Sequence, residues 1–143
     1  MSAKPVPTLA SSMSPFPYSV APSATLREAR EMMVAHDIHH LPVTDGETIV
    51  GVITDGDVFV AGSLARGASE TLVDAIFSRD PYVVDIRERL DVVARNMAER
   101  RIGSAVVTRH GKLAGILTHT DVCRVLAALI ESIDPIGESG SAA

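Results

Sequence analysis

Aromatic residues are scarce in this chain: they make up 3% of its 143 residues, and tryptophan is absent. A core must therefore be built from Val, Ile, Leu, Ala and Met, a set that suits packed helices and buried strands. Cysteine occurs once, at Cys123. That excludes an intramolecular disulfide framework and fits a reducing, cytoplasmic compartment. The lone thiol, in a helical stretch between Val122 and Arg124, reads as a small buried apolar side chain rather than a reactive group. Basic charge is also short, since 13 Lys and Arg against 18 Asp and Glu leave a formal net charge of −5. This argues against a broad hold on nucleic acid or anionic lipid, and leaves room only for a local basic pocket. No run approaches the ~18 apolar residues of a membrane span. The proline-broken N-terminus, MSAKPVPTLASSMSPFP, lacks the apolar region of a secretory signal.

What the chain does have is a repetition. The stretch GVITDGD at 51–57 returns as GILTHTD at 115–121, and the aspartates at 57 and 121 set an offset of 64 residues. Carried without a gap, that offset aligns 13–58 with 77–122 and pairs thirteen identical residues, among them Pro17/Pro81, Tyr18/Tyr82, Leu26/Leu90, Met33/Met97, Gly51/Gly115 and Thr54/Thr118. The chain is an internal duplication.

Each copy opens on a short extended segment, Tyr18-Ser-Val or Tyr82-Val-Val. An amphipathic helix follows, with apolar residues at Leu26, Ala29 and Met33, or at Leu90, Val93 and Met97. Thr25 and Glu28 have the spacing of a capping box, which copy two lacks at this place. Two short strands come next, around Asp45-Gly46 or His110-Gly111, and the one-position displacement of the glycine predicts turns of different type. A second helix starts after Thr54 or Thr118. The order per copy is β-α-β-β-α, and neither half has apolar residues enough to cover a sheet alone. The expected fold is α/β (α+β), with two repeats packed about a pseudo-two-fold axis. The boundaries read as a disordered 1–12, repeat 1 over 13–62, a linker with a short helix over 63–76, repeat 2 over 77–131, and a flexible tail over 132–143.

The repeated unit G-h-h-T-x-x-D, with h apolar, sets a threonine at a strand end and an aspartate one helical turn on. Free N–H groups and a hydroxyl at a helix start favour an anion. An aspartate in the first turn can accept hydrogen bonds from a vicinal diol, as acidic residues do for ribose. The alternative is that Thr54 and Thr118 serve only as N-caps while Asp57 and Asp121 complement the helix dipoles.

In these two motifs, together with Ile38-His-His-Leu-Pro-Val43 before the first strand pair, the chain resembles the cystathionine β-synthase (CBS) domain family, as a tandem pair of the kind called a Bateman module, over about residues 13–130. The resemblance implies regulatory binding of an adenosyl compound (AMP, ADP, ATP or S-adenosylmethionine) between paired repeats, with no obligatory cofactor and no catalysis. By position it implies that Asp57 and Asp121 hold ribose hydroxyls and that Thr54 and Thr118 face phosphate. The adenine would be wrapped by Val20, Ala21, Leu41 and Pro42 in one site and by Val84, Asp85, Ala105 and Val106 in the other. His39 and His40 stand where nucleotide-sensing members carry basic residues toward phosphate, whereas copy two has Gly103 and Ser104 there, so two unequal sites are expected. The resemblance also implies a homodimer through exposed apolar helix faces, and an unknown partner protein as the regulated target.

Two other readings stand beside this one. The chain could be an interaction or scaffold protein whose sites hold no ligand. It could also be a metal- or redox-responsive sensor using His36, His39, His40 and His119 or Cys123, although the histidines do not share one helical face. An acid/base set of Asp55, Asp57 and His119 lacks a nucleophile, and TDGD lacks the further ligands of a calcium loop.

Overall fold

The structure, a computed structural model, describes residues 5–15, 17–64 and 70–135. Residues 65–69 of the linker expected at 63–76, and the part of the expected tail beyond residue 135, lie outside the described residues. The elements in chain order are α1 (Leu9–Ser12), β1 (Ser14–Pro15), α2 (Leu26–His36), β2 (His40–Asp45), β3 (Thr48–Thr54), α3 (Asp55–Leu64), a 3-10 turn (Val73–Ala75), β4 (Val83–Asp85), α4 (Leu90–Arg100), β5 (Ser104–Arg109), β6 (Lys112–Thr118) and α5 (His119–Ile133). No helix among the described residues is long and apolar enough to cross a membrane.

The local chemistry of the duplicated elements follows from their residues. The Thr25 hydroxyl accepts from the Glu28 N–H at 3.1 Å while a Glu28 carboxylate oxygen accepts from the Thr25 N–H at 3.2 Å, closing a capping box on α2. The α4 helix begins at Arg89 with no side-chain cap. Both helices stop on a left-handed residue, Asp37 (φ 51°) and Arg101 (φ 55°), which are equivalent under the offset. The β2–β3 turn has a positive φ at Gly46 only, whereas the β5–β6 turn has it at both His110 and Gly111. The displaced glycine thus does change the turn, and two consecutive positive φ values match a type I′ connection. The α3 helix runs through Gly62 to Leu64, two residues past the boundary expected at 62. That glycine has no positive φ and no neighbour within 4 Å of an added Cβ, so nothing about it ends the helix.

The two sheets have matching order. In repeat 2 it is β1-β6-β5-β4, with β4 parallel to β5. In repeat 1 the β2–β3 hairpin carries single-residue bridges at the same places: Val20 parallel to Val43 on one edge, and Ser78 antiparallel to Val52 on the other. The outer strand of each sheet therefore comes from the other repeat. Ser14 pairs with Ile116, while Ser78 exchanges two backbone hydrogen bonds with Val52 at 2.9 and 3.1 Å.

Side chains follow the same exchange. Val73, just ahead of repeat 2, and Phe77, its first residue, complete the core of repeat 1 with Leu26, Ala29, Met33, Leu41, Val43 and Ile53. Leu9, ahead of repeat 1, and Met13, its first residue, join the core of repeat 2 with Val84, Leu90, Val93, Met97 and Leu117. Residues 1–12 are therefore not wholly without structure. Thr8 caps α1 through a capping box with Ser11, and Leu9 is fully buried in the core of repeat 2. Cys123 also departs from its reading. It is exposed on α5, since Val122 and Val125 occupy the inward face and the residue between Val122 and Arg124 turns to solvent.

The repeated glycines sit where the exchanged segments cross. A Cβ on Gly51 would overlap the Ser78 carbonyl oxygen and the Phe77 ring, and one on Gly115 would overlap the Met13 thioether. Backbone and a packed ring cannot yield, but a methionine can turn away. Gly51→Ala is expected to cost about 1–3 kcal/mol or more of overpacking, and Gly115→Ala markedly less. Urea unfolding of the two variants checks this; equal losses would contradict the role given to Gly51.

Candidate functional site

The T-x-x-D units share a reciprocal pair of hydrogen bonds at the two helix starts. In repeat 1 the Thr54 N–H donates to Asp57 Oδ2 at 2.9 Å, and the Asp57 N–H donates to Thr54 Oγ1 at 3.1 Å. In repeat 2 the Thr118 N–H and hydroxyl both donate to Asp121 Oδ2, at 2.8 and 3.0 Å, and the Asp121 N–H donates to Thr118 Oγ1 at 3.3 Å. Both motifs are thus capping boxes in the free chain. Capping and ligand binding are not exclusive, because each carboxylate caps through one oxygen. Oδ1 of Asp121 faces the Arg124 guanidinium at 3.5 Å, and Asp121 is buried.

Beside Asp121 lies a cavity of about 600 Å³ shared by the two repeats. Repeat 1 and its lead-in supply Ser14, Pro15, Pro17, Tyr18, Asp37, Ile38, His39, His40 and Asp55; repeat 2 supplies Ile116, Thr118, His119, Thr120, Asp121 and Arg124. Four residues singled out from the sequence, His39, His40, Thr118 and Asp121, meet here. The others do not. Val20 bridges to Val43 and donates its N–H to the Pro42 carbonyl at 3.0 Å, and Val20, Leu41 and Pro42 are buried in repeat 1, with Ala21 exposed beside them. Val84, Ala105 and Val106 are buried in repeat 2. Asp85 is taken up by Arg87 at 2.9 Å, whose hydrogen bond holds its carboxyl below the usual carboxylate range. Thr54 and Asp57 stand outside this cavity. Tyr18, Ile38, Asp55, His119 and Arg124 were missed as liners because copy-by-copy reading draws both walls from one repeat, whereas the exchanged lead-in makes the second wall from the other.

A second groove of about 730 Å³ runs between α2 and α3, lined by Arg30, Met33, Val34, Val58, Phe59, Gly62 and Ser63, and it shares Asp37, Ile38, His39 and Asp55 with the first. The histidines are dispersed. His36 stacks on Tyr18 with ring centroids 3.7 Å apart, His39 Nδ1 pairs with Asp55 Oδ2 at 2.8 Å, and His40 meets His119 edge-on at 6.0 Å. Among the described residues no three His, Cys, Asp or Glu side chains are grouped to hold a metal ion.

His40 marks the join between repeats. Its Nε2 and the His119 ring both lie against Gly103, where a Cβ would sit 3.1 Å from the former and 2.9 Å from His119 Nδ1. Burial pushes the His40 pKa below its ordinary 6.5, and His119 and His39 add to the effect while Asp55 and Asp57 oppose it. The folded state therefore prefers neutral His40. Its contribution to stability is complete above pH 6.5 and declines as the pH falls from 6.5 through the lowered folded value, where the unfolded chain binds the proton first. Chemical unfolding between pH 7.5 and 5 is expected to show a shallower loss of stability for His40→Gln than for the parent chain; identical slopes would contradict this.

Comparison with known proteins places this geometry. The CBS domain profile matches residues 6–63 and 73–128, so its first unit begins ahead of residue 13. The chain is 36% identical over 107 residues to inosine-5'-monophosphate dehydrogenase of Korarchaeum cryptofilum, a match that takes in 73% of this chain and 21% of the dehydrogenase. It thus spans about a fifth of that relative's length. Among solved structures it is similar to the CBS domain pair of protein MJ0100 in complex with 5'-methylthioadenosine and S-adenosyl-L-methionine (TM-score 0.78, 25% identity, 87% of this chain and 98% of that one). It is also similar to CBSX2 in complex with AMP (TM-score 0.72, 29% identity, 85% and 97%). With two profile matches, two exchanged repeats and a cleft between them, the chain belongs to the CBS domain family as a tandem CBS pair.

Proposed function

We propose that this CBS pair is a regulatory module that binds an adenosyl compound in the cavity beside Asp121 and presents the result to a partner protein. The observation that carries the reading is the cavity itself: its walls come from both repeats, so a ligand filling it touches both and can shift their packing. Asp121 Oδ1 offers the ribose diol an acceptor, and Tyr18, Ile38 and Ile116 offer a planar base apolar surface. Related CBS pairs solved with AMP, or with S-adenosylmethionine and 5'-methylthioadenosine, support the ligand class. The site next to Asp57 has Val60 where this one has Arg124, and Ser104 where this one has His40, so the two positions are unequal.

Apolar side chains on α3 and α5, among them Phe59, Val60, Leu126, Ile130 and Ile133, stand exposed, and we assign them to contact between two copies of the chain. Thermal unfolding with and without ligand tests the whole reading, and sedimentation of the same samples reads the dimer. A ligand at a hundredfold excess over its Kd adds about 2.7 kcal/mol of stability, raising the midpoint by several degrees. The shift is expected to vanish in Asp121→Asn and to survive in Asp57→Asn. Silence of AMP, 5'-methylthioadenosine and S-adenosylmethionine alike in a well-folded chain would favour the scaffold reading instead.

A further inference from the structure

The charge of the cavity narrows the ligand further, on the assumption that the Asp121 cavity is the binding site. Three carboxylates line it, Asp37, Asp55 and Asp121, against the single guanidinium of Arg124, a formal −2 with the histidines neutral. Asp55 already engages His39, and the one guanidinium, that of Arg124, already faces Asp121. Helix starts ordinarily attract phosphate through free N–H groups. Here three at each start are already engaged: at α5 the N–H groups of Thr118, His119 and Asp121 donate to Asp121 Oδ2, the Gly103 carbonyl and Thr118 Oγ1. At α3 those of Thr54, Asp55 and Asp57 donate to Asp57 Oδ2, the His39 carbonyl and Thr54 Oγ1. The T-x-x-D carboxylate is itself the anion at each helix start. The α2 helix, ending at His36, adds the negative end of its dipole beside Asp37.

We infer that the cavity takes an adenosyl ligand that is neutral or cationic at its 5' end, a nucleoside, a thioether nucleoside or a sulfonium, and that each added phosphate weakens binding. The ribose still meets Asp121, while the 5' substituent meets carboxylates. A cationic sulfonium or ammonium group gains from that field, and a phosphate is repelled by it.

Isothermal titration of the full chain at pH 7.5 with adenosine, 5'-methylthioadenosine, S-adenosylmethionine, AMP and ATP tests this. In low salt 5'-methylthioadenosine is expected to bind about tenfold tighter than AMP, with ATP weaker still, and the gap is expected to narrow in high salt, where such fields are screened. In a double variant, Asp37→Asn with Asp55→Asn, AMP affinity is expected to rise relative to adenosine affinity measured on the same variant. AMP or ATP binding as tightly as the uncharged ligands in low salt would overturn the inference and leave the proposed site standing. Silence of all five would remove both.

Discussion

Each repeat is completed by a segment that belongs to the other in sequence, and the rest of the structure depends on that exchange. Leu9 and Val73, equivalent under the offset and both fully buried, are the anchors. Each buried aliphatic side chain contributes about 1.5–3 kcal/mol, and here the gain is made across the repeats rather than within one. Gly51 and Gly115 make room for the crossing, which explains the glycine that opens both copies of the motif without reference to a ligand. Ser78 and Ser14 then add backbone pairing at the sheet edges, covering strands that would otherwise present open hydrogen-bonding groups.

The same crossing builds the cavity. Because residues 14–15 lie along β6, the chain that follows them, Pro17 and Tyr18, hangs over the start of α5 and becomes a wall for Asp121. His39 and His40 approach from the end of α2, so a pocket centred on a repeat 2 aspartate is walled largely by repeat 1. The pseudo-symmetry is exact in backbone features such as the two left-handed helix ends, but not in charge. The equivalents of Arg124, His40 and His119 are Val60, Ser104 and Asp55. Duplication supplied the frame, and substitution around it made one cleft different from the other.

Much of this was legible in the sequence. The offset of 64, the paired hairpins, the changed turn and the T-x-x-D helix starts all rest on local chemistry, which a sequence carries directly. The exchange did not, because Leu9 and Val73 are both apolar yet not identical, and identity is what traced the repeat. Val20, Leu41, Val84 and Ala105, which the family resemblance implies as surroundings for an adenine, are buried in the two cores. Cys123 was misread for a related reason: composition favours burial of a lone thiol, but on α5 the inward positions are held by Val122 and Val125. Capping and ligand binding had seemed alternatives for Asp121, but the cap uses only Oδ2 and leaves Oδ1 toward Arg124.

Native-state hydrogen exchange is the most direct test of the central claim that two exchanged repeats form one cooperative unit. The amides of Val52 and Ser78, which join the repeats, and those of the β5–β6 core strands should open with one common free energy equal to that of global unfolding. If repeat 1 opens at a distinctly lower free energy while β5 and β6 stay protected, each repeat holds itself together, and the crossing of Leu9 and Val73 is not what the structure rests on.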